Sequence, residues 1–183
     1  DTYGMKQTGS CSVKINELFV PEYKLQSFSV NRDGHTFKGV DLNKNLMYQI
    51  PTASIGGHGL AGCAIGGAQL CLDLLLEWIE KRSTSTSNMK MSDIPTIHNR
   101  LGEIASRIDA ARLILRNDCI EVERQMHENG QITTNNKLKY KRNAAYAVKI
   151  TLESVSIMQQ VCGANGIYNL SLIHISEPTR QDR

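Results

Sequence analysis

Gly57-His58-Gly59-Leu60-Ala61-Gly62 spells G-x-G-x-x-G, and Glu77 and Glu80 follow about twenty residues on. Glycines at that spacing let a backbone approach a pyrophosphate, and an acid at that distance can reach a ribose. The motif needs a buried strand before it and a βαβ unit around it. The preceding MYQIPTAS holds a proline and no strand pattern. The glycines are therefore read as small residues at a helix start, where backbones come close, although free amides at such a start also favour anions. His58, His98 and His127 have no second ligand at i+3 or i+4, and a metal needs three or four converging ligands, so no metal site is expected. There is no G-x-S-x-G elbow and no nearby Cys/His pair. Cys63 and Cys71, on an apolar segment, read as core. Arg107, Asp109, Arg112 and Arg116 read as a solvated charged face. No residue qualifies as catalytic on spacing alone.

The elements that must carry these residues are mostly helices. Tyr48 to Arg82 is the organising stretch, with a helix expected from Gly56. Leu60, Ala64, Gly67, Cys71, Leu74 and Trp78 recur at helical spacing, while Ala61, Ile65, Ala68, Leu72, Leu75 and Ile79 fill neighbouring faces. An apolar surface all round predicts a helix buried among others. Gly62 and Gly66, four apart, would let another backbone approach one face. STSTSNMKMS is a polar linker, and Ser92 or Asp93 before Pro95 is a helix start. Ile97, Leu101, Ile104, Ile108, Ala111, Leu115, Val122 and Met126 form the inner stripe of a long second helix, and Asn129-Gly130 stops it. Thr133 or Thr134 can cap a third helix, with Leu138, Ala144, Val148, Thr151, Val155, Met158 and Cys162 facing inward and Gly163 and Gly166 ending it. Short polar connections favour antiparallel neighbours.

The N-terminal portion reads differently. Val13, Ile15 and Leu18 alternate with polar residues, which predicts a half-buried strand ended by Pro21. Residues 22–45 read as loop, with a short strand at Phe28 to Val30. The architecture expected is mainly α: the end of a β-domain over residues 1–47, then an incomplete antiparallel four-helix bundle over 48–169.

The 183 residues carry a formal charge of +3, with 40% hydrophobic and 21% charged residues. That is a globular composition, and the charge is too small to suggest a nucleic-acid partner. No apolar run is expected to span a membrane. Five scattered cysteines without a CxxC pair suggest free thiols in a reducing, cytoplasmic setting. Leu170 to Arg180, LSLIHISEPTR, can be encoded by a transposase adapter of sequencing libraries read in frame. Residues 170–183 are therefore read as adapter-derived and left out of the fold. Removing them leaves the net charge unchanged.

Four segments in order resemble the acyl-CoA dehydrogenase superfamily. GMKQTGSCSVKINELFVPE is similar to the turn, strand and F-V-P-E exit that close its β-domain. The helix from Gly59, the segment RIDAARLIL and the ending QVCGANGIY are similar to its C-terminal helical domain. The long connection over residues 22–50, with LMYQIP before the helix, leans towards the flavin-dependent monooxygenase branch (type 2 C-terminal domain).

The resemblance implies a tetrameric parent with a flavin, FAD or FMN, lying between the β-domain and the bundle, where a neighbouring subunit's bundle helps to hold it. Arg82 matches the arginine that meets the cofactor's phosphates, although STSTS stands where the dehydrogenases have a Q-F-G element. Gln160-Val161-Cys162-Gly163-Ala164 matches the Q-x-x-G-G segment whose backbone meets the cofactor, with Ala164 in place of the second glycine. Neither the dehydrogenase glutamate nor the monooxygenase histidine has a matching motif, and Glu103 and Glu123 have none to support them. The function implied is two-component monooxygenation of a small organic molecule, with a separate flavin reductase as partner and a fragment inactive by itself. The alternatives are α,β-dehydrogenation of an acyl-CoA with FAD and a non-catalytic helical oligomerisation module.

Overall fold

The computed structural model describes residues 8–9, 11–25, 42–43, 45–84 and 88–163. Three helices dominate: α1 (Thr52–Glu80), α2 (Pro95–Asn129) and α3 (Thr134–Cys162). At 1.5 Å per residue each runs at least about 40 Å. Helix α1 starts four residues earlier than Gly56, because Pro51 in extended backbone releases the chain directly into it. Short 3₁₀ turns at Leu46–Gln49 and Met91–Asp93 lead into α1 and α2. The start of α2 uses Pro95 at the first turn, with Ile94 rather than Ser92 or Asp93 at the N-cap and no side-chain cap. Its end follows expectation: Gly130 adopts φ 63°, a left-handed conformation glycine takes without a Cβ clash. Thr133 caps α3, its hydroxyl accepting from the Asn136 amide at 3.3 Å.

Pairs of side chains fix the helix directions. Arg107 meets Glu153, Glu121 meets Lys139, and Gln125 meets Tyr140, so α2 and α3 run antiparallel. His58 meets Asp118 and Gln69 meets Arg112, so α1 and α2 are antiparallel too. Helices α1 and α3 are therefore parallel, and their C-terminal ends share one end of the bundle. Helix α3 packs broadly on both others, while α1 and α2 touch less. The hub is α3 rather than α1.

The core takes most of one stripe of α1, Ala61, Ile65, Ala68, Leu72, Leu75 and Ile79, together with Cys71 from the other. The rest of that other stripe is only partly covered, with Ala64, Leu74 and Trp78 half-buried. Leu60 is 79% exposed and Leu70 55%, and Cys63, expected in the core, is exposed. A three-helix arrangement gives α1 neighbours on one side only. Gly62 and Gly66 make no close approach either, since a Cβ added at either meets nothing within 4 Å. Contrary to the sequence expectation, α1 is long and apolar enough to cross a membrane by length and composition, with an 18-residue window of mean hydropathy 1.6. A third of that window is buried in the bundle, and the rest is the uncovered face.

In α2 the expected stripe is buried, apart from a half-buried Leu101. In α3 the inner face is rotated: Tyr140, Ala147, Ile150, Ser154 and Val161 join Ala144, Thr151 and Met158, while Leu138 is 59% exposed. Small residues on this hub helix let it fit between two neighbours.

No strand forms among the described residues. Residues 11–20 carry no ladder, and Val13, Ile15 and Leu18 are exposed. Alternation creates a strand face, but a strand needs a partner's amides and carbonyls, and none of the described residues offers them. The expected strand at Phe28 to Val30 lies outside the described residues, as do the residues from Ala164 onward.

Candidate functional site

Arg82 sits just past the last turn of α1, and its backbone is fixed on both sides. Its N–H donates to the Ile79 carbonyl at 3.3 Å, and its carbonyl accepts from the Met91 N–H at 2.9 Å. An antiparallel bridge between Ser83 and Lys90 and the Thr84 N–H to Met89 carbonyl bond at 2.8 Å extend the clamp. Asn88, at φ 52°, takes the left-handed turn this return requires. The Arg82 guanidinium lies 5.1 Å from the centre of the Trp78 ring, one helical turn back. No carboxylate among the described residues forms an ion pair with it.

The second candidate segment ends α3. Gln160 is exposed, Val161 is buried, and Cys162 is half-buried. Gly163 turns the chain at φ 56°, ψ −139°, and its amide caps the helix on the Gln160 carbonyl. A side chain would be strained there, and nothing stands within 4 Å of where a Cβ would lie, so the backbone is open to approach. Burial pushes the Cys162 thiol above its usual range, which leaves it protonated and inert at neutral pH. Ala164 lies outside the described residues. Because α1 and α3 are parallel, Arg82 and Gln160–Gly163 emerge at the same end of the bundle.

The residues near the opposite end form a buried polar chain that spacing alone did not reveal. His58 Nε2 lies 3.1 Å from Asp118 Oδ2, and Asn143 Nδ2 donates to Asp118 Oδ1 at 2.8 Å. Asp118 is fully buried, so one carboxylate ties all three helices together. Two turns further along α2, Gln125 donates to Tyr140 Oη at 2.9 Å and to Glu121 at 3.1 Å. Desolvation, with the nearby Glu121 and Asp118 charges, pushes Tyr140 up to about 12. Burial and the Asp118 charge push the Cys119 thiol up as well. Ser54 Oγ, one turn before His58, is buried with no hydrogen-bond partner. A signal for Asp118 existed in the sequence: it falls in register with Ile104, Ile108, Ala111, Leu115 and Val122, where a charge has no business without partners.

An open groove of about 510 Å³ between α2 and α3 is lined by Glu103, Arg107, Tyr146, Lys149 and Glu153, among others. Arg107 is already shared between Glu103 and Glu153, so the groove offers no unpaired arginine. Glu103 is thereby held as an ion-pair partner, and the face expected to be charged and solvated is just that. Among the described residues no group of three metal-ligating side chains converges.

The chain belongs to the family described as "Acyl-CoA dehydrogenase, C-terminal domain", which matches residues 58–173. It is 23% identical over 172 residues to the oxygenase component of the FADH(2)-dependent resorcinol hydroxylase of Rhizobium sp. (strain MTP-10005), covering 90% of this chain and 42% of that protein. It is 24% identical to the flavin-dependent monooxygenase oxygenase subunit HsaA of Rhodococcus jostii (strain RHA1), covering 91% of this chain and 44% of that one. The crystal structure of 3-HSA hydroxylase from Rhodococcus sp. RHA1 superposes with a TM-score of 0.76 at 22% identity, over 87% of this chain and 41% of that one. That likeness shows the shared helical fold. The chain thus spans less than half the length of the curated relatives it matches.

Proposed function

We propose that the whole protein is the oxygenase component of a two-component flavin-dependent monooxygenase acting on a small organic substrate. The observation that carries this reading is the alignment of about nine-tenths of the chain with oxygenase components, at 23–25% identity. In this reading residues 1–47 close the middle β-domain, 48–169 form the C-terminal bundle, and 170–183 are adapter-derived. A separate reductase supplies reduced flavin, FAD or FMN, and the parent assembles as a tetramer. Free thiols at all five cysteines support a reducing, cytoplasmic setting.

The residues present suit an anionic cofactor. Arg82 offers unpaired guanidinium donors in a fork that matches phosphate oxygens, and Gly163 offers open backbone at the same end. The bound flavin supplies the oxygen-activating chemistry. This chain's part is to bind it: Arg82 holds phosphate, and the Gly163 turn lets the cofactor lie against backbone.

The test is product formation by the natural-length protein with a flavin reductase, NADH and a panel of phenols under ¹⁸O₂. Incorporation of one labelled oxygen is expected. Unlabelled product, or turnover of acyl-CoA esters instead, overturns the monooxygenase reading in favour of dehydrogenation. The 183-residue chain alone is expected to be inactive in the same assay.

A further inference from the structure

We propose that Trp78 is a positioning residue that holds the Arg82 guanidinium ready for a phosphate group. The proposal rests on the reading of Arg82 as a phosphate ligand and adds how that arginine is presented. Arg82 faces an electrostatic difficulty. It lies at the C-terminal end of α1, where the helix dipole is negative and disfavours an anion. A loose arginine at such a position folds back onto the terminal carbonyls, which are good acceptors.

Two features prevent that. The backbone clamp to Ile79 and Met91 fixes where the side chain leaves the chain. The Trp78 ring, 5.1 Å from the guanidinium carbon, then occupies the cation without using any of its hydrogen-bond donors. A carboxylate in that role would neutralise the charge and fill the fork. An aromatic face leaves the charge and the in-plane N–H groups available. Trp78 is itself half-buried against the core, so the platform is fixed by packing. The ligand chemistry is a phosphate ester, because the guanidinium fork matches phosphate oxygens.

The experiment uses the 183-residue chain, in which Trp78 is the only tryptophan. Inorganic pyrophosphate titrated into the chain should change Trp78 fluorescence saturably. Calorimetry on variants follows, with circular dichroism confirming helix content. Arg82→Ala should abolish binding. Trp78→Met, which keeps apolar volume without a ring face, should weaken it roughly fivefold, the size of a cation–π contact. Trp78→Phe should restore it to within about twofold. Recovery by Trp78→Phe but not by Trp78→Met, at unchanged helix content, is an outcome a merely structural role would not give. If Trp78→Met proves unfolded, the Phe and Tyr variants carry the test, and a loss of binding in both overturns the proposal. No binding by the unaltered chain, or unchanged binding by Arg82→Ala, overturns the phosphate site itself. Weakened binding in Arg82→Ala with full binding in Trp78→Met overturns only the role of Trp78.

Discussion

Near Thr134 the three helices meet through side-chain hydrogen bonds: Asp118 to His58 and Asn143, and Gln125 to Tyr140 and Glu121. Near Arg82 and Gly163 they meet through apolar contacts of Leu75, Ile79, Ile97, Met158 and Val161, with charge kept to the outside. Hydrogen bonds are directional, so the first end fixes which residues face one another. Apolar contacts are not, so the second end can be stable while its polar groups remain unengaged. The residues that suit a ligand are at the end whose polar groups are free, and the residues that specify alignment are at the other.

The largest way to break this comparison is Asp118→Ala. It removes the acceptor shared by His58 and Asn143 and leaves both without their buried partner. A loss of about 3 kcal/mol is expected from chemical denaturation. Arg82→Ala, at the other end, should stay within about 0.5 kcal/mol, since the side chain is exposed. Comparable losses would erase the distinction. A sharper version is His58→Leu with Asp118→Leu and Asn143→Leu, which should recover stability while broadening the amide spectrum if the cluster serves alignment.

Next in size is a pH effect confined to the polar end. Tyr140 ionises at about 12 in the fold against an ordinary 10. Between these values the unfolded chain has released its proton and the folded chain has not, so ionisation favours unfolding. The stabilisation is complete below pH 10, is lost as pH rises from 10 to 12, and levels off above. About 3 kcal/mol is at stake, roughly half of it by pH 11. Denaturation at pH 9 and pH 11 should show it, and Tyr140→Phe should flatten the difference.

The sequence made the helices, their connections and the α2 stripe legible, because 3.6-residue periodicity, Pro95, Thr133 and Gly130 act locally. It did not settle which face of α1 or α3 turns inward. Helix α1 is apolar on two sides, and only the position of neighbours decides between them; Ala61 and Leu60 are adjacent in sequence and opposite in burial. In α3 the inward face mixes alanine, serine and threonine with Tyr140, Ile150, Met158 and Val161, so a search for large apolar residues also picks Leu138, which is exposed. Arg82 and Gly163 could be picked out by resemblance, but their shared end depends on helix direction, and the Trp78 contact on a side-chain geometry no motif encodes. The strand expected at Val13 to Leu18 shows the limit of alternation, which describes a face but supplies no partner.

A smaller effect tests the one flaw in the polar end. Ser54 Oγ is buried without a partner, so it bears a desolvation cost that nothing offsets. Ser54→Ala should leave stability unchanged or raise it by about 1 kcal/mol. A loss of that size would mean that the hydroxyl is engaged in solution, most simply with the imidazole one turn away.

The smallest prediction concerns the uncovered face of α1. Gly66 lies in mid-helix, is exposed, and leaves room for a Cβ, with nothing within 4 Å. Glycine there costs about 0.5–1 kcal/mol of helix propensity relative to alanine. In the isolated bundle Gly66→Ala should therefore raise the denaturation midpoint by that amount. If another helix lies against this face in the natural-length protein, the added methyl meets it, and the same substitution should lose the gain or become destabilising. Denaturing both forms in parallel reads the difference directly. Equal stabilisation in the two would mean that the glycines of α1 face solvent in both, and that the apolar stripe holding Leu60 and Leu70 is covered by nothing close enough to need them.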